Sequence, residues 1–157
     1  MTPVIRPATA ADADAMLRLR VLMFEAMGVP AGRLEDPAWR LAAHGWFVDR
    51  IPAAGVHVLV AEVEGRVVSG AVGEVTTLIP GPGAPNGSVG LISNIATLPD
   101  FRGRGLAAAV TDALLAWFRE ETDVSRVDLF ATPGGSAIYT PRGFTARAFP
   151  SMSLPLR

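Results

Sequence analysis

The sequence predicts an α/β sandwich in which helices cover a β-sheet. Three observations lead there. Strand-like and helix-like runs alternate along the chain, there is no internal repeat or linker, and one long amphipathic helix lies between two strand-like segments. The 157 residues suit one domain spanning 1–157, long enough to bury a core without staples. Half of the residues are apolar and 18% are charged, which excludes a mainly disordered chain. Fourteen cations, all arginine, face fifteen acids, so no global basic field is available for nucleic acid or anionic lipid. The absence of cysteine excludes disulfides, thiolate nucleophiles and cysteine-ligated zinc. No run approaches the ~18 apolar residues of a membrane span, and no basic-then-apolar leader opens the chain. A cytoplasmic location is therefore expected, with no nucleic-acid or membrane partner.

Residues 4–6 open with β-branched Val4 and Ile5 and are stopped by Pro7, a short strand. Thr9 reads as a helix N-cap with Asp12 three residues on. Met16, Leu19, Met23 and Met27 follow at helical spacing until Gly28, a stripe that fits core packing or an adaptable pocket wall. Asp36 before Pro37 opens a second helix, which carries Trp39, Trp46 and Phe47 and ends near Pro52. Residues 56–63 read as a strand, Glu64-Gly65 as a hairpin turn, and residues 66–79 as the partner strand. Residues 80–87, rich in proline and glycine, form a loop, and Asn86-Gly87-Ser88 reads as a turn rather than a glycosylation site.

Residues 89–97 predict another strand, broken by Pro99. Residues 103–121 are the clearest helix, with Leu106, Val110, Ala113, Leu114 and Trp117 on one apolar stripe. A strand at 127–131, a short helix at 136–139, and two last strands at 144–149 and 151–156 complete the prediction. The strand–helix–strand unit over 89–131 should be parallel and right-handed.

Arg102-Gly103-Arg104-Gly105-Leu106-Ala107 sits where a strand hands over to that helix. Two glycines permit close approach to the backbone, the free N–H groups of a first helical turn attract anions, and Arg102 and Arg104 can add charge-assisted hydrogen bonds. This pattern points to phosphate. The loose dinucleotide fingerprint is met, but residues 98–102 intervene after the strand and Asp123 falls at a helix end, which disfavours a nicotinamide or flavin site. No nucleoside-triphosphate loop is present.

Arg102-x-x-Gly105-x-Ala107 also resembles the (Gln/Arg)-x-x-Gly-x-(Gly/Ala) signature of the GCN5-related N-acetyltransferases, and Ile138-Tyr139-x-x-x-Gly143-Phe144 resembles the Leu-Tyr-x-x-x-Gly-Phe ending of that family. The motifs span about a third of the chain, and the predicted element order matches the family over the whole length. The resemblance implies a mixed, mostly antiparallel sheet of about seven strands splayed into a V and flanked by about four helices. It implies acetyl-CoA as co-substrate and no metal. The pantetheine arm would pair with Ile95, Ala96 and Thr97, and the pyrophosphate would rest on Gly103, Arg104, Gly105, Leu106, Ala107 and Ala108 beside Arg102. The acetyl group would pass directly to an amine in a ternary complex, with Tyr139 protonating the departing sulfur and an amide near Ile95 meeting the oxyanion.

Two departures stand out. The asparagine that commonly contacts the cofactor arm is Thr132 here, with Gly135 at the next small position. The two positions where family members carry a catalytic glutamate are Leu91 and Val127. Glu74 is the leading substitute as base or amine-recognition group, with His44 and His57 behind it, and Ser93 and Asn94 are expected to line the acceptor end. The acceptor would be an amine of a small molecule or of a peptide or protein. The missing glutamates also fit a second reading, a non-catalytic acyl-CoA-binding module. A homodimer is expected by analogy alone.

Overall fold

The computed structural model describes residues 2–157. Five strands form one sheet in chain order: β1 (Val4–Pro7), β2 (Val56–Val63), β3 (Arg66–Thr77), β4 (Ser88–Thr97) and β5 (Val127–Leu129). The first four are antiparallel neighbours, and β5 lies parallel to β4. The helices are α1 (Ala13–Ala26), α2 (Ala31–Leu34), α3 (Pro37–Arg50), α4 (Leu106–Glu121) and α5 (Ser136–Tyr139).

Glycines in the sheet let the helices approach it closely. A Cβ on Gly70 would lie 2.8 Å from the Met16 sulfur, so α1 packs on that face of β3. A Cβ on Gly73 or Gly90 would meet Leu114 or Phe118, so α4 covers the opposite face. Strands buried on both sides read as nearly continuous apolar runs, and β2 and β3 do so. Loop 80–87 closes on Asn86, whose Oδ1 accepts from the Ser88 N–H at 3.0 Å and whose Nδ2 donates to the Asp123 carbonyl at 2.8 Å, which confirms the turn.

The expected element order holds from β1 to α5, with β3 ending at Thr77 rather than 79, β5 at Leu129 rather than 131, and three further corrections. Helix α4 starts at Leu106 rather than 103, because Gly103 and Gly105 sit at φ +72° and +75° in the left-handed region, outside a helix. The one-turn helix α2 was not foreseen. The strands expected at 144–149 and 151–156 are not formed, so the sheet has five strands rather than seven. Phe149, Met152, Leu154 and Leu156 are all exposed there, and Pro150 and Pro155 each remove a donor that a strand would need.

The start of the chain is fixed by charge. Arg6 grips Asp12 with two hydrogen bonds of 2.9 Å and donates to Glu62 on β2 at 2.8 Å. Asp12 also accepts from the Thr9 N–H at 2.8 Å, so the residue three after the expected Thr9 cap closes back onto it. The guanidinium holds the Asp12 carboxyl below the ordinary carboxylate range, with burial opposing it. A depressed carboxylate adds stability above its unfolded value of about 3.9 and loses it as pH falls through the folded value. Asp12→Asn should therefore cost about 1–2 kcal/mol at pH 7. The gap in urea midpoint between variant and parent should shrink below about pH 4. A gap unchanged at pH 2.5 would show that the carboxylate charge is not the cause.

Candidate active site

The cleft begins where two parallel strands part. Strands β4 and β5 pair only at Gly90–Val127, Leu91–Asp128 and Ile92–Leu129, and beyond Ile92 the two chains diverge. On its other edge β4 bulges. Ser93 faces Val72 and Ala96 faces Gly70, which leaves Asn94 and Ile95 together opposite Ala71. Asn94 takes up the distortion at φ +55°, unusual for a residue with a side chain. The bulge re-aims the backbone of Ile95 just where the cleft opens.

A cavity of about 580 Å³ lies in that opening. It is lined by Ile95, Ala96 and Thr97 from β4, by Arg102, Gly103 and Gly105 from the turn, by Leu106, Ala107 and Ala108 from α4, and by Thr132, Gly135 and Tyr139. The first backbone bond of α4 runs from the Ala109 N–H to the Gly105 carbonyl at 2.9 Å, so the amides just before Ala109 have no partner in the helix. Cβ atoms on Gly103 and Gly105 would meet nothing within 4 Å, so the cradle is open. Arg102 braces the turn by donating from Nε to the Thr97 carbonyl at 3.1 Å. Arg104 does not line the cavity; it lies over Phe101 and donates to the Asp100 carbonyl at 3.0 Å. A chain of free amides at a helix N-terminus, with an arginine beside it and a groove leading to Tyr139, fits a diphosphate bearing a long arm.

Tyr139 is 9% exposed and lines both this cavity and a second one of about 240 Å³. Burial pushes its phenol above the ordinary value of about 10, so it is fully protonated at neutral pH. A Cβ on Gly135 would come within 3.2 Å of the Tyr139 ring, which explains the small residue there. Phe144 packs edge-on against the tyrosine at 5.9 Å. An ion pair that the sequence did not reveal anchors the short helix. Arg142 donates from Nε and Nη2 to the Asp112 carboxylate on α4 and from Nη1 to the Ile138 carbonyl.

A third cavity, of about 380 Å³, is lined by Arg20, Trp46, Phe47, Glu74, Ser93 and Asn94 among others. Arg20, Ser93 and Asn94 also line the 240 Å³ cavity, so the two spaces meet at these residues. Ser93 and Asn94, expected at the acceptor end of the cleft, line both of these spaces. Glu74 lines only the outer space, 4.0 Å from the Arg50 guanidinium, and does not share a cavity with Tyr139. The two histidines are engaged elsewhere. His44 Nε2 lies 3.0 Å from an Asp14 oxygen and ties α3 to α1. His57 stacks on Trp117 at 5.0 Å, where burial lowers its pKa. The methionine stripe divides between its two readings, with Met16 fully buried in the core while Met23 and Met27 line the cleft.

A model of the acetyltransferase (GNAT) family matches residues 16–138. The chain belongs to this family. Over 99% of both chains it superposes on the GCN5-related N-acetyltransferase from Ralstonia eutropha JMP134, with 26% identity and a TM-score of 0.87. It resembles a predicted acetyltransferase from Clostridium acetobutylicum solved with acetyl-CoA, with 20% identity, 99% and 97% coverage and a TM-score of 0.85. It also resembles the aminoglycoside N-acetyltransferase AAC(6')-Iy in complex with CoA, with 16% identity, 99% and 96% coverage and a TM-score of 0.75. No curated protein matches the sequence significantly. The GNAT fold is therefore established, with a five-strand sheet, and the protein is an acetyltransferase in the general sense of its family. Among the described residues no helix is long and apolar enough to cross a membrane.

Proposed function

We propose that this protein transfers an acetyl group from acetyl-CoA to an amine, with donor and acceptor bound together. The observation that carries the reading is the path of shared residues. Ile95 and Tyr139 stand at the end of the amide-lined groove and also border the inner acceptor cavity. Acetyl-CoA supplies an acyl carbon already activated as a thioester.

The amides of Gly103, Leu106, Ala107 and Ala108 hold the diphosphate, and Arg102 adds charge. Ile95, Ala96 and Thr97 offer main chain to the arm, and Thr132 stands beside it. The bulged backbone at Ile95 donates to the oxygen on which negative charge builds, a contact typically worth ~3 kcal/mol of barrier. As the C–N bond forms and the C–S bond breaks, Tyr139 gives its proton to the sulfur. The attacking nitrogen must be neutral, and its surplus proton leaves through water toward Glu74, which stands in the adjoining space. Ser93 and Asn94 line the acceptor side.

One observation favours a binding module without catalysis: among the described residues, no carboxylate lines either cavity that Tyr139 borders. A single pair of measurements separates the readings. Acetyl-CoA at 100 times its Kd should add ~2.7 kcal/mol and raise the melting temperature. A panel of amines should then release free CoA thiol. Stabilisation with no release across the panel selects the binding module, and no stabilisation at millimolar acetyl-CoA rejects both.

A further inference from the structure

Resting on the acetyl-transfer reading, we propose that the acceptor amine carries an acidic oxyanion, a carboxylate or a phosphate, seated between the Arg20 guanidinium and the Asn94 side-chain amide.

Arg20 projects from the inward face of α1 into the junction of the two acceptor cavities. Its fixed contacts are one hydrogen bond from Nη1 to Asn94 Oδ1 at 3.1 Å and the Phe24 ring, 4.8 Å from its centre. Among the described residues it joins no ion pair, whereas Arg6, Arg126 and Arg142 each hold a carboxylate. Burial already works against its charge. A half-buried guanidinium is costly unless an anion meets it, and the carboxylate that shares a cavity with it, Glu74, lies against Arg50 and forms no ion pair with Arg20.

Asn94 gives the second, independent observation. It is 5% exposed, and its Nδ2 is a buried donor with no partner. Arginine can only donate, so the atom facing it must be the amide oxygen, which leaves the nitrogen as the orphan. An unsatisfied buried N–H is costly and rare in a native fold. One oxyanion would satisfy both groups: one oxygen on the guanidinium, another on Nδ2. The strained backbone of Asn94 holds that amide at the junction.

The arrangement also orients the acceptor. With its anion at the junction, its amine extends into the 240 Å³ space beside Ile95 and Tyr139. The remainder enters the 380 Å³ space against Trp46 and Phe47. An α-amino acid, with amine and carboxylate on one carbon and an apolar side chain, has that shape.

The test is a set of matched acceptor pairs, with thiol release measured in the presence of acetyl-CoA and rates normalised to the free-base fraction of each amine. Phenylalanine is compared with phenylalaninamide and phenethylamine, and glucosamine 6-phosphate with glucosamine. The acid of at least one pair should exceed its neutral partner in kcat/KM by about 10- to 100-fold. A preference in the first set identifies a carboxylate, and one in the second a phosphate. Arg20→Gln should bring that ratio close to one, and Arg20→Lys should retain part of it. The thermal shift with acetyl-CoA checks that each variant is folded. Equal or better use of the neutral partners, or a ratio that survives in Arg20→Gln, overturns the proposal while thiol release keeps the transferase reading. Absence of any release or acetyl-CoA shift removes that reading instead. In that case calorimetry with N-acetylphenylalanine against its amide, with CoA present, still reads the seat: tighter binding of the acid supports it and equal binding overturns it.

Discussion

Tyr139→Phe should lower kcat on the order of 100-fold while leaving acetyl-CoA affinity within about threefold. The substitution removes one oxygen and keeps the ring that packs edge-on against Phe144 and close to Gly135. Packing therefore survives, and what is lost is the proton for the departing sulfur. A thiol is a stronger acid than a phenol (cysteine's ionises near 8.5), so an undonated thiolate can still leave, which is why the loss is partial. The pH profile adds a second signature. Rate should climb as the acceptor amine becomes neutral and fall only when the phenol ionises. Burial moves that ionisation above about 10, so the alkaline fall lies beyond it. In the phenylalanine variant the fall should vanish. Turnover equal to the parent, with the alkaline limb intact, would take Tyr139 out of the acid role and leave it as a wall of the cleft.

What could be read from the chain divides along physical lines. Strand β2 was legible to the residue, because a valine at every second position from Val56 to Val60, in a mostly apolar run ending at Val63 before the Glu64-Gly65 turn, reads as a strand. The groove that we propose for acetyl-CoA could be outlined from the sequence because it is built from main chain and depends on glycines, whose positions are visible there. The last two strands failed for the opposite reason. Alternation in 144–156 announces a strand, but a strand also needs a neighbour with a free edge, and sequence does not show one. The β4 bulge at Asn94 was likewise invisible: no glycine marks it, and an asparagine takes the left-handed backbone instead. Arg20 was missed although a signal existed. It stands four residues after Met16 and three before Met23, a cation on the apolar face of its helix. On that face a charge is either partnered within the fold or placed for a ligand. Glu74 was noticed by that same logic, and it lines a cavity 4.0 Å from the Arg50 guanidinium.

Phe118→Ala should cost about 4 kcal/mol, a large share of the 5–15 kcal/mol that holds a typical domain together. The ring is 2% exposed and fills the space above two glycines of the sheet. A Cβ on Gly90 would fall 2.7 Å from the Phe118 ring, and one on Gly73 would fall 3.3 Å from it. The missing side chains and the large ring are therefore one packing solution. Gly90→Ala alone should destabilise by about 1–3 kcal/mol through overpacking. Combined with Phe118→Leu, it should cost clearly less than the two single changes added together, since the smaller side chain vacates what the methyl needs. The urea midpoints of the four proteins give the coupling directly, and strict additivity would mean that Gly90 is small for another reason. The consequence reaches the site because Phe118 sits on α4, whose first turn supplies the free amides of the groove. A helix that settles differently on β4 carries those amides with it. The Gly90→Ala variant should therefore bind acetyl-CoA more weakly at temperatures where it is still folded, and the double variant should recover part of that affinity.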